Sequence, residues 1–162
     1  MASFARYSVF ALALLFAGVV YAQGRSWIPD QGSLQPGEGK SPVQVKIPDP
    51  RPIKAPGPEV PEGIRGLSGR WLGWARADRQ GSVAIDVEEL TAKGGTFAYY
   101  YSEPGFTTSF AYRASAVIVG GHELEGSIGG GTFVKLRLRP DGHADFMVYW
   151  NQRFRSGVLS RQ

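Results

Sequence analysis

From Leu67 to Gln162, apolar and polar residues alternate with period two in short runs rich in Val, Ile, Phe, Tyr and Thr. Gly, Asn, Asp and Pro turns separate the runs, which is the pattern of an all-β domain, and no stretch sustains a helical period. Eight strands are predicted. The first is Gly69 to Arg76, and a charged turn over residues 77–81 leads to Ser82 to Leu90, with Val83, Ile85 and Val87 on one face and Asp86 and Glu88 on the other. Thr96 to Ser102 carries Phe97, Tyr99 and Tyr101 in one phase, and the next strand runs from Phe106 through Arg113 to Val119 with Phe110 and Tyr112 in phase. His122 to Ile128 follows Gly120-Gly121. The clearest alternation comes next, with Val134, Leu136 and Leu138 against Lys135, Arg137 and Arg139. After the Pro140-Asp141-Gly142 turn, His143 to Trp150 and Arg153 to Arg161 form a hairpin across Asn151-Gln152.

Such alternation gives each sheet one buried and one wet face, as antiparallel sheets have. Because every connection is short, neighbours in sequence should be neighbours in space, which makes an up-and-down meander. Closing eight strands into a small barrel removes both exposed edges and leaves an interior wide enough for side chains or one small ligand. A sandwich of two four-stranded sheets is the alternative.

Ahead of Leu67 the pattern breaks twice. Residues 1–22 read as an export signal, with Arg6 in the positive region, the apolar run Val9 to Val20, and Val20-Tyr21-Ala22 before a mature start at Gln23. The run falls short of the roughly 20 residues of a spanning helix, so no membrane span is expected after the signal is removed. Nine of the 11 prolines then fall between Gln23 and Gly66. Missing backbone donors at that spacing predict an extended, disordered linker with neither helix nor central strand. A secreted or periplasmic protein follows, with the domain itself over residues 67–162.

The chain has no cysteine, so neither disulfides nor thiolate chemistry is available. Removing Arg6 with the signal takes the formal charge from +4 to +3. That excess is mild and spread along the strands, which argues against nucleic acid as a partner.

Gly69-Arg70-Trp71 opens the first strand and Arg161 lies near the end of the last. This arrangement resembles the calycin group: lipocalins, avidins and small bacterial metalloprotease inhibitors. The resemblance implies an eight-stranded barrel plugged at one end by Trp71, with the Arg161 guanidinium over the indole and bonded to free carbonyls, and Gly69 allowing close approach of the incoming chain. It leaves the ligand open. No room remains for the C-terminal helix of lipocalins, and the disulfide usual in the inhibitors is absent.

Tyr99, Tyr101, Phe110 and Tyr112 share a phase on adjacent strands and could line one wall of the barrel mouth, since small-ligand pockets are apolar with a few placed polar groups. The same residues would also serve as core and cross-strand pairs. His122-Glu123 and His143-x-Asp145 supply no third ligand, so no metal site is expected. No Gly-x-Ser-x-Gly elbow occurs, and the glycine run 129–131 reads as a hairpin turn rather than a phosphate loop. Glu88-Glu89 and Glu123 with Glu125 read as solvated faces. The expectation is therefore a non-catalytic binding module without cofactor, holding a small apolar or amphipathic ligand. Its alternatives are a protein-binding or protease-inhibiting module acting through the proline-rich arm, and an envelope-associated structural domain.

Overall fold

A computed structural model of the protein describes residues 45–75, 81–104 and 109–162. The predicted signal, the predicted linker as far as residue 44, the first turn and the predicted start of the fourth strand at Phe106 lie outside the described residues. The strands are β1 (Gly69–Ala75), β2 (Gly81–Thr91), β3 (Gly94–Ser102), β4 (Phe110–Val119), β5 (Glu123–Gly129), β6 (Thr132–Leu138), β7 (Ala144–Trp150) and β8 (Arg153–Arg161), preceded by a short helix α1 (Glu62–Arg65).

Each strand pairs antiparallel with the next, and β8 returns to β1 through Trp71↔Arg161, Leu72↔Ser160 and Gly73↔Leu159, closing an up-and-down barrel. The two-sheet sandwich is thereby excluded. Closure requires paired residues to share a face, so the apolar phases seen in the sequence all turn inward: Val83, Ile85 and Val87 beside Trp71, then Phe97 and Tyr99, and Leu136 beside Phe146. Asn151 and Gln152 both adopt positive φ, at 43° and 62°, which gives the β7–β8 hairpin the twist that a two-residue connection demands.

The lower and middle barrel is filled. Trp71, Phe97, Phe146, Leu136 and Leu159 are fully or almost fully buried there. Gly126 sits in the interior phase of β5 because a Cβ at that position would overlap the Phe97 ring. An eight-stranded interior has space for such rings only where facing positions are small.

Residues 45–66, part of the stretch read from sequence as a disordered linker, lie against the barrel. Val45 and Ile47 pack outside it on Leu72, Ala84, Ala98 and Tyr100. The Lys54 amide donates to the Glu88 carbonyl at 2.9 Å, and Ser68 Oγ donates to the Lys54 carbonyl at 3.1 Å. Farther along, Val60, Ile64 and Leu67 enter the core, and α1 forms after the proline-rich stretch because Pro61 precedes the helix, where a missing N–H costs nothing.

The expectation of a wet outer face fails on β2 for the same reason. Ala84 and Asp86 are buried there. The glutamates read as solvated are largely ion-paired: Glu88 with Arg113 at 3.0 Å, Glu89 with Lys54 at 3.0 Å, and Glu123 with Lys135 at 3.0 Å. Asp86 takes two hydrogen bonds from Arg70, each 2.8 Å. Register sets two of the ion pairs directly opposite across strands, Arg70 with Asp86 and Arg137 with Asp145.

Candidate functional site

The two ends of the barrel are built differently. At the closed end, Trp71 Nε1 donates to the Leu67 carbonyl at 2.8 Å, and Ile64 of α1 is buried in the same core as Trp71. Arg161 places Cζ 5.8 Å from the Trp71 ring centroid and donates from Nη2 to the Ser68 carbonyl at 2.7 Å. Gly69, at φ +140°, leaves room for that guanidinium, since a Cβ would stand 3.1 Å from Arg161 Nε. Gly69, Trp71 and Arg161 thus form one unit in which the indole N–H and a guanidinium N–H each meet a backbone carbonyl.

At the opposite end the strands open around a cavity of about 430 Å³ lined by Tyr99, Tyr112, Ile128, Val148, Trp150 and Arg155, with the Gly129 turn and Thr132 at its rim. Each wall residue follows from strand phase. Tyr99 and Tyr112 are register partners on β3 and β4, their rings 6.3 Å apart. Val148 faces Arg155 and Trp150 faces Arg153 across β7 and β8. Arg155 therefore occupies an inward position on a strand whose other inward residues include Gly157 and Leu159.

The four residues read from sequence as a ligand wall divide. Tyr99 and Tyr112 line the cavity. Tyr101 lies behind it, buried and stacked 6.4 Å from Tyr99. Phe110, opposite Tyr101 in register, is 43% exposed and does not line the cavity. Arg155, Trp150, Val148 and Ile128 were not anticipated. The arginine was detectable, because Arg153, Arg155, Gly157, Leu159 and Arg161 form one phase of the last strand, and a cation in an apolar phase needs a partner or a role.

Arg155 is held on several sides. Its Cζ stands 3.8 Å from the Tyr101 ring centroid and 4.7 Å from that of Trp150, and Nη2 donates to Glu103 Oε1 at 2.7 Å. The side chains of Arg155 and Glu103 are only 19% and 10% exposed, so this pair is largely desolvated. Arg155 Nε and the Tyr99 hydroxyl are buried without a hydrogen-bond partner. Burial pushes the Tyr99 phenol above its ordinary value, and Arg155 offsets part of the rise by its positive charge and by an approach to the phenol oxygen that falls short of hydrogen-bond geometry.

A second cleft, of about 640 Å³, runs along the outer wall between the 51–54 segment and β2–β4, lined by Arg51, Lys54, Glu88, Glu89 and Arg113. Its charged groups answer one another: Lys54 pairs with Glu89, and Arg113 with Glu88 and, at 3.5 Å, with Asp49. None of the residues lining it holds a buried side-chain atom without a partner. The mouth is the better candidate site.

Among the described residues no group of three His, Cys, Asp or Glu side chains could hold a metal. His122 sits in a turn with Nδ1 2.7 Å from the Gly120 carbonyl, and His143 follows a turn with its amide donating to Asp141 Oδ1 at 3.0 Å. No described helix is long and apolar enough to cross a membrane. Comparison with protein-family models, with curated proteins and with solved structures finds no match for this chain.

Proposed function

We propose that the protein is an exported, non-catalytic binding module of calycin-like type that holds a small, partly apolar ligand in the barrel mouth. The observation that carries the reading is the cavity of about 430 Å³ above a filled lower barrel. Its size falls within the range of small-molecule sites, and its walls combine aromatic and aliphatic side chains with a few placed polar groups, the composition such sites share. The calycin likeness draws on the closed eight-stranded barrel with Arg161 over Trp71. Export draws on the N-terminal sequence, and N-terminal sequencing of secreted protein should begin at Gln23.

The test is native mass spectrometry of protein purified from an exporting host, joined to thermal shifts across a broad panel of hydrophobic and amphipathic small molecules. A bound mass or a concentration-dependent rise in melting temperature is expected. Neither, across the panel, would defeat the reading. In that event the proline-rich arm becomes the place to look for a partner. Residues 45–66 are tied to the barrel through Val45, Ile47, Lys54 and Ile64, so the deletion that isolates the arm is residues 23–44.

A further inference from the structure

Building on the mouth as a binding site, we infer that the ligand is a small amphipathic monocarboxylate, its acid group seated on Arg155 Nε and the Tyr99 hydroxyl and its apolar body against Trp150, Tyr112 and Ile128. The two polar atoms are the reason. Tyr99 is 2% exposed, and both it and Arg155 line the same cavity, yet the Tyr99 hydroxyl and Arg155 Nε are buried without a partner. Buried polar groups in folded proteins are almost always satisfied, and each one that is not costs about 1–3 kcal/mol. A group that brings acceptor oxygens into the cavity would satisfy both, because Arg155 Nε can only donate and a phenol hydroxyl is able to.

Charge selects the acceptor. Among the described residues, the inward phase at the mouth carries Arg153 and Arg155 against one carboxylate, Glu103. Glu103 already takes Arg155 Nη2, so among the described residues the inward phase keeps one positive charge in excess, with Arg153 exposed beside the cavity and Arg155 within its wall. The guanidinium cannot swing away to meet water, since Tyr101 and Trp150 flank it and Glu103 anchors it. A fixed, partly desolvated arginine is a strong donor to a carboxylate. No carboxylate other than Glu103 lies in the inward phase to compete for it among the described residues.

The experiment titrates the full secreted chain with 2-naphthoate and decanoate and with their uncharged counterparts 2-naphthamide and decanol, following tryptophan fluorescence and calorimetric heat. At least one acid should bind about tenfold or more tightly than its neutral counterpart, the scale of a hydrogen bond to a charged group. The aromatic and aliphatic arms report which body the walls prefer. Arg155→Gln should erase the preference for the acid, and Tyr99→Phe, which changes no shape, should reduce it about threefold or more. If acid and neutral compound bind equally, or Tyr99→Phe leaves the ratio unmoved, the carboxylate assignment is overturned and the binding module stands. Failure of all four compounds to bind, while other members of the hydrophobic panel do, also overturns it. If nothing on that panel binds, both readings fall together.

Discussion

The two ends of the barrel use the same pair of residue types to opposite ends. Arg161 and Arg155 both lie on the inward phase of β8, and each places its guanidinium near an indole, Trp71 at 5.8 Å and Trp150 at 4.7 Å. At the closed end, the chain between α1 and β1 brings the Ser68 carbonyl for Arg161 and the Leu67 carbonyl for the Trp71 indole. At the mouth, no helix crosses the opening among the described residues, Trp150 is only partly buried, and a donor on Arg155 is left over. A cation over an aromatic ring is therefore a plug where the backbone completes it. Where the backbone withdraws, a donor is left for a ligand to meet, as proposed above.

The comparison predicts its largest effect at Trp71. Fully buried between α1 and the strands, it cannot be replaced by neighbours because the lower barrel is already filled. Trp71→Ala should cost about 3–5 kcal/mol in chemical denaturation. The exposed Phe110 at the other end is the control, with Phe110→Ala expected within about 0.5 kcal/mol. Equal losses at the two positions would erase the distinction between plug and mouth.

Next in size is Arg161→Met. It removes a cation–π contact of about 0.5–2 kcal/mol and a hydrogen bond worth about 1 kcal/mol net, and leaves the Ser68 carbonyl without that donor. A loss of about 1–3 kcal/mol is expected in denaturant titrations. The preference for acid over neutral compounds should not change. A shifted preference would mean that the two arginines act as one system along β8 and that the closed end is not separate from the site.

The barrel itself was largely legible in the chain. Alternation in the strand of Val134, Leu136 and Leu138 states which face is buried, and a one-residue slip would invert it, so the register left little freedom. Gly69, Trp71 and Arg161 could be placed because they match the Gly-x-Trp motif and the last-strand arginine of the calycin group that the chain resembles. The packing of residues 45–66 was not legible, since proline spacing reports what the backbone cannot do and is silent on what Val45, Ile47 and Ile64 can bury. Those three apolar residues were the available signal. Half of the aromatic wall was placed by phase, but phase does not tell depth: Tyr99 and Tyr101 point the same way, and only the position of Arg155 decides that one lines the cavity and the other backs it. Arg155 itself was readable as a cation out of place, whereas its pairing with Glu103 depends on the β3–β4 connection and no local pattern encodes it.

The smallest effect separates the ends most sharply, and it falls on one oxygen atom. At the closed end the Trp71 indole N–H is bonded, so deleting a polar group there can only lose stability. The Tyr99 hydroxyl has no partner to lose. Tyr99→Phe should therefore leave stability within about 1 kcal/mol of the parent and on the stabilising side, because the variant no longer buries an unpaired hydroxyl. Alkaline solution gives the same residue a second readout. Burial raises the Tyr99 pKa in the folded protein, so the folded state keeps a proton that the unfolded chain releases once pH passes the ordinary tyrosine value of about 10. The unfolded state then binds fewer protons, and stability falls as pH rises from there, by up to about 1.4 kcal/mol per pH unit for this one group. Below that pH the contribution is fully present and flat. Tyr99→Phe should remove this share of the alkaline slope, leaving that of Tyr100, whose pKa burial also raises. A variant that is less stable at neutral pH and keeps the full alkaline slope would show that the hydroxyl is bonded within the protein, and the mouth would then be as complete as the plug.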